Sequence, residues 1–198
     1  QPRLLRYYNI LQEECEREIS LINDLLDLQR LDVGNHPMQI EPIDLASWLP
    51  GLMESFMPRT KSREQSLTLD IPADLPVIRT DMASLERILA ELLNNACKYT
   101  PPGENISLQI VGDPTADPKQ VMFELTNTGV TISSEEQNRI FDKFYRVPSA
   151  DPWKQGGTGL GLALVKKLVM HLEGSITVDS VNQQTRFTIT LPLQPMLN

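Results

Sequence analysis

Apolar side chains recur at alternating four- and three-residue steps along the first part of the chain: Leu4, Tyr8, Leu11, Cys15, Ile22 and Leu25, with Glu18 the one polar break. That spacing, with no glycine or proline inside it, predicts one helix over residues 3–32 carrying a heptad seam. Leu5, Ile19 and Leu26 widen the seam beyond a two-stranded stripe. A helix with so broad an apolar face needs partner helices, so dimerisation into a bundle is the favoured reading. The alternative is a helix lying against its own domain. Gly34 and Pro37 supply the stop.

Beyond the helix the period changes. Residues 35–44, with Pro37 and Pro42, read as an extended linker. A helix is predicted over 45–63, then strands over 66–71 and 77–79. Thr80 and Asp81 cap a strong helix over 84–99. Strands over 105–111 and 120–127 are joined by a turn rich in proline and aspartate, 112–118. Ser133 caps a short helix ending near Phe144, with Glu136 as the matching acid. A polar, glycine-rich loop follows over 148–157, then a helix over 160–172 and strands over 175–180 and 185–191. The fold class expected is α+β, a two-layer sandwich of a mixed sheet with helices packed on one face. The boundaries expected are 1–34 for the front helix, 35–44 for the linker and 45–198 for the main domain.

Composition narrows the function classes. The formal net charge of −8 over 198 residues argues against a nucleic-acid partner, yet leaves room for a local cationic site. Cys15 and Cys97 form no disulfide framework and have no metal-ligand spacing, so a reducing cytoplasm is expected for this portion. No apolar run reaches membrane-spanning length. The opening Gln-Pro-Arg is expected of a fragment cut from a longer protein, and a membrane anchor elsewhere in that protein stays open.

Four clusters carry candidate chemistry. In ELLNNACKYT, residues 91–100, Glu91 and Asn95 share a helix face and Lys98 lies one turn on. A carboxylate beside an amide oxygen suits hydrated magnesium, and Lys98 and Tyr99 could donate to phosphate; a solvated polar face is the plainer alternative. GGTGLGL, residues 156–162, leaves backbone amides bare at the start of an apolar helix, where an anion is favoured. It is neither a P-loop nor a dinucleotide fingerprint. LTNTGVTI, residues 125–132, ends a strand in a polar turn able to cradle an adenine edge with Asn127, Gly129 and Ile132. RIFDKFYRV, residues 139–147, sets Phe141 and Phe144 three apart on a helix as core or lid anchors. Lys143 and Arg146 flank them as surface charges or phosphate contacts.

The order of these clusters resembles the N, G1, F and G2 boxes of histidine-kinase catalytic domains, within the gyrase-like and heat-shock-chaperone-like ATPases of the Bergerat nucleotide fold. The resemblance spans residues 43–192, and LINDLLDLQR, residues 21–30, looks like the end of the second helix of a dimerisation and phosphotransfer domain. It implies ATP and Mg2+ as cofactors, with Asn95 as the magnesium ligand. It implies phosphate contacts from Lys98 and Tyr99, with Lys143 or Arg146 reaching the terminal phosphate. Gly157, Thr158, Gly159, Leu160 and Gly161 would wrap the phosphates. Glu91, Lys98 and Arg146 are the implied catalytic groups, which with the metal would offset charge on the transferring phosphoryl group.

The G1 box departs from the family's Asp-x-Gly-x-Gly: the positions read Asn127, Gly129 and Thr131. Asn127 keeps an acceptor oxygen but loses a charged hydrogen bond worth about 1 kcal/mol more, so nucleotide binding is expected to be retained and re-tuned. The two histidines, His36 in the linker and His171 near a helix end, are expected to be structural or surface residues. The 198 residues are therefore expected to bind ATP without phosphorylating themselves. In the full protein the resemblance implies a homodimer and a response-regulator receiver domain as partners. An ATPase or serine kinase of the same fold, and a nucleotide-gated dimerisation module, are the competing functions.

Overall fold

The computed structural model describes residues 2–34, 37–73, 75–113, 119–147 and 157–194. Helix α1, Pro2–Asp32, runs the length predicted for it. It uses two faces. The seam residues Leu4, Tyr8, Leu11, Ile19 and Ile22 are exposed, while Leu28 is buried and Leu21 and Leu31 pack on the main core. So the helix lies against its own domain along its C-terminal third and still presents an uncovered apolar seam.

Strand β1, Ile40–Ile43, is the element the linker reading did not expect. It pairs antiparallel with β3, Ile78–Asp81, in a small separate sheet with Ile43 opposite Ile78. Asp44 then caps α2, Leu45–Ser62, by accepting from the Ala46 amide. His36, in the same stretch, lies outside the described residues.

The main sheet has five strands in the order β2–β4–β5–β7–β6. These are β2, Ser66–Asp70; β4, Asn105–Asp113; β5, Gln120–Thr128; β6, Ser175–Val181; and β7, Gln184–Pro192. β2 runs parallel to β4 and the other pairs are antiparallel, so the sheet is mixed as expected. Side chains alternate between faces with period two. Ile106, Leu108 and Ile110 of β4, Val121, Phe123 and Leu125 of β5, and Phe187, Ile189 and Leu191 of β7 are all buried. The intervening Ser107, Gln109 and Glu124 are not.

Helix α3, Met82–Tyr99, supplies the facing layer. Asp81 caps it by accepting from the Ser84 amide at 2.8 Å. Leu85, Ile88, Leu89, Leu92, Leu93 and Ala96 form its buried stripe at the helical period. The same period forces Glu91, Asn95 and Lys98 onto another face. α5, Gly161–His171, packs beside α3 and contributes Leu164, Val165 and Leu168 to the same core.

The short helix α4 is Ser134–Gln137 only. Ser133 caps it by accepting from the Glu136 amide, as predicted, but the chain then turns rather than continuing to Phe144. Phe144 sits at φ +65° and is 63% exposed, so it is not a core anchor. Its amide donates to the Gly159 carbonyl at 2.9 Å, which draws this segment onto the glycine run instead. Phe141 is the anchor of the pair, packing edge-on to Phe187 with ring centroids 6.4 Å apart.

Candidate functional site

The polar face of α3 looks into a cavity of about 400 Å³. Glu91, Asn95, Lys98 and Tyr99 form one side and Gly157, Thr158, Gly159 and Gly161 the facing side, with Arg146 at the rim. The other end is lined by Leu125, Asn127, Val130, Thr131, Ile132, Ile140, Thr185 and Phe187. One end is thus polar and glycine-walled, and the other mostly apolar around a single buried amide, Asn127. An aromatic base with a charged tail matches that division.

The glycine run lies close against its neighbours, and at Gly159 against backbone. A Cβ at Gly157 would lie 2.8 Å from Lys98 Nζ, and one at Gly161 would lie 2.6 Å from Glu91 Oε2. At Gly159, φ is +73° and a Cβ would meet the Phe144 backbone at 2.7 Å. Hence α5 begins within reach of the α3 polar groups, with the positive end of its dipole turned towards the cavity. Gly129, at φ +75°, closes the opposite turn: its amide donates to the Gln183 carbonyl, and a Cβ would meet Glu104 and Pro101.

An ion network ties α1 to this wall. Asp24, buried on α1, pairs with Arg87 at 2.5 Å, and Arg87 reaches Glu91 at 3.1 Å. Burial pushes the Glu91 carboxyl above the ordinary carboxylate range; Arg87 opposes the shift and the Asp24 charge adds to it. Burial also raises Asp24, against the pull of Arg87. Lower on α1, Asp32 is held below its ordinary value by hydrogen bonds from Lys167 and Lys143.

The two shifts act on stability with opposite signs. An acid whose folded pKa is raised binds its proton more tightly when folded, so its contribution falls as pH rises from the ordinary value, about 4, through the raised one. The Asp32 contribution is present above the ordinary value and is lost as pH falls through the lowered one. Asp24→Asn is therefore expected to flatten the loss of stability as pH rises above about 4. Urea unfolding across that range reads the slope, and a slope equal to wild type counts against this assignment.

Comparison with known proteins decides the family. Residues 80–195, more than half of the chain, match the family described as "Histidine kinase-, DNA gyrase B-, and HSP90-like ATPase". The chain belongs to this ATPase family. It is 32% identical to the circadian input-output histidine kinase CikA of Synechococcus elongatus, over 98% of this chain and 26% of that protein. It thus spans about a quarter of this curated relative's length. ShkA, solved full-length in complex with AMPPNP, superposes with a TM-score of 0.80 at 27% identity, over 94% of this chain and 38% of ShkA. ThkA, solved with the response regulator protein TrrA, gives a TM-score of 0.76 at 18% identity over 98% of this chain and 53% of that one, a likeness of fold.

Within this ATPase fold, most of the sequence-derived site residues converge. Glu91, Asn95, Lys98, Tyr99, Asn127, Ile132, Arg146, Gly157, Thr158, Gly159 and Gly161 all line the cavity. Three do not: Gly129 forms the turn behind it, Leu160 is wholly buried in the core, and Lys143 is paired with Asp32 at 2.9 Å. His171 lies on α5, partly buried and away from the cavity lining. Residues the sequence reading did not single out include Thr185 and Phe187 on β7, and Arg17, Ser20 and Asp24 on α1. The β7 pair enters because Thr185 stands opposite Asn127 and Phe187 opposite Leu125 in the ladder. Among the described residues, no group of three or more acidic, histidine or cysteine side chains could hold a metal ion, and no helix is long and apolar enough to cross a membrane.

Proposed function

We propose that residues 45–198 form the ATP-binding catalytic domain of a two-component sensor histidine kinase. Residues 1–34 are then the second helix of its dimerisation and phosphotransfer domain, joined through 35–44. In the whole protein this domain donates the γ-phosphoryl group of Mg-ATP to a histidine, for relay to a response-regulator receiver domain. The observation carrying the proposal is the cavity that sets Glu91, Asn95 and Lys98 against the glycine run at the start of α5. The AMPPNP in ShkA and the response regulator bound to ThkA are in keeping with it.

Each residue then has a physical role. The adenine stacks among Leu125, Ile132 and Phe187, with the Asn127 oxygen accepting from its amino group. Backbone amides from Gly157 to Gly161 and the α5 dipole receive the phosphates. The Lys98 ammonium and Tyr99 hydroxyl donate to phosphate oxygens, and Arg146 stands at the rim for the terminal phosphate. Asn95, beside Glu91, would hold the magnesium ion. One carboxylate, one amide and the nucleotide's own phosphates are enough for an ion that keeps several waters, so a three-acid cluster is not needed. Magnesium would offset charge on the β- and γ-phosphate oxygens. In the transfer itself, an imidazole nitrogen attacks the γ-phosphorus, the bond to the β–γ bridging oxygen breaks, ADP leaves with that electron pair, and the ring gives up a proton to water. Homodimerisation through the exposed α1 seam would bring the acceptor helix to this cavity.

The G1 departure gives a direct check on the adenine end. Asn127→Asp restores a charged acceptor and is expected to tighten AMPPNP binding by about 1 kcal/mol, roughly fivefold. Calorimetry reads the Kd ratio, and unchanged or weaker binding places the adenine elsewhere.

Asn127 and Thr131 also motivate a second reading, a nucleotide-gated dimerisation module without transferase activity. A trans assay separates the possibilities. The chain is mixed with radiolabelled ATP, magnesium and a kinase-dead partner that carries a histidine-bearing bundle helix. Acid-labile label on that helix is the expected result. Phosphate release alone points to an ATPase, and neither signal with intact binding points to the gated module.

A further inference from the structure

α1 does more than rest on the domain, because its packed face continues past the last core contact into the wall of the cavity. Arg17, Ser20 and Asp24, at steps of three and four, line it together with Glu91 and Gly157. Two ion-pair anchors hold α1 in place. Buried Asp24 binds Arg87 at 2.5 Å, and Asp32 binds Lys143 at 2.9 Å and Lys167 at 2.7 Å. The first anchor runs on through Arg87 to Glu91, whose carboxylate abuts Gly161, so α1 meets the cavity at its glycine-walled end.

The charge pattern of α1 isolates Arg17. Between residues 7 and 29 it is the only cation, against Glu13, Glu14, Glu16, Glu18, Asp24 and Asp27. Arg17 is thus the one cation α1 brings to the cavity wall, and Asp24 on the same face has its carboxylate taken up by Arg87. The Arg17 ion pair with Glu14, at 3.5 Å on the exposed surface, is of a kind worth at most about 1 kcal/mol. Little opposes a swing of the guanidinium onto a ligand, and its planar fork suits phosphate oxygens.

We propose that Arg17 reads the terminal phosphate of the nucleotide from the α1 side, so that a triphosphate is distinguished from a diphosphate only while α1 is docked. The proposal rests on the nucleotide reading of the cavity given above. Arg17 acts here as a specificity-determining residue supplied by the helix, in the same cavity lining as the domain's own Lys98.

The test is calorimetric titration of wild type, Arg17→Ala and Arg17→Lys with Mg-AMPPNP and with Mg-ADP. Arg17→Ala is expected to weaken AMPPNP binding by about tenfold and ADP binding by less than about twofold. Arg17→Lys should recover part of the loss, and the thermal midpoint of all three should agree, since the side chain is half exposed. Glu14→Gln, which frees Arg17, should leave ADP binding unchanged and AMPPNP binding unchanged or tighter. Equal weakening of both nucleotides, or no change in either, overturns the assignment while leaving the nucleotide site intact. A wild-type chain that binds neither nucleotide overturns both.

Discussion

Asn95→Ala is expected to lower phosphoryl transfer to a histidine-bearing helix by about 10²- to 10³-fold, the usual cost of removing one preorganised electrostatic contact from a transfer site. Asn95 stands on the α3 face that lines the cavity, one turn from Glu91 and one turn from Lys98. The core-facing stripe of α3 lies on another face, and alanine is a better helix former than asparagine. The fold should therefore survive, with the loss confined to magnesium-dependent chemistry. Single-turnover transfer, measured beside the thermal midpoint, separates the two. A variant that unfolds, or one that transfers at the wild-type rate, contradicts the role given to Asn95.

Gly159→Ala should fail for a different reason. The residue holds φ +73°, and a Cβ there would stand 2.7 Å from the Phe144 carbonyl carbon and 2.9 Å from its Cα. A left-handed conformation costs a non-glycine residue about 1–3 kcal/mol. A clash with backbone cannot be relieved by a rotamer, and overpacking adds about 1–3 kcal/mol. Phe144 and Gly159 also share a backbone hydrogen bond, so the variant disturbs the α4-to-Phe144 segment together with the glycine run. Lowered stability by urea unfolding and at least tenfold weaker AMPPNP binding are expected. A stable variant with unchanged affinity would mean that the glycine run does not hold the nucleotide.

The parts of the site that sequence revealed were those encoded locally. α3 carries its cap, its apolar stripe and its polar face within one helix, so Glu91, Asn95 and Lys98 could be placed together from spacing alone. The glycine run likewise marks its own close approaches, since Gly159 meets the Phe144 backbone and Gly157 and Gly161 sit against the ends of the Lys98 and Glu91 side chains. What escaped depended on partners distant along the chain. Thr185 and Phe187 reach the cavity because β7 lies beside β5, a register no local pattern records. β1 is short and contains Pro42, so it read as linker until β3 was there to pair with it. The heptad seam of α1 masked the second stripe, Arg17, Leu21, Asp24, Leu28 and Leu31, which faces the domain. Lys143 read as a phosphate contact because its cluster is basic; only the fold brings Asp32 to it.

The central claim is that the cavity between α3, β5 and α5 is a magnesium-dependent nucleotide site. Calorimetric titration of the chain with AMPPNP, with and without magnesium, tests it most directly. The account predicts saturable binding to one site that weakens when magnesium is withdrawn and weakens further in Asn95→Ala. No measurable heat at millimolar AMPPNP with magnesium present, from a folded chain, would contradict it.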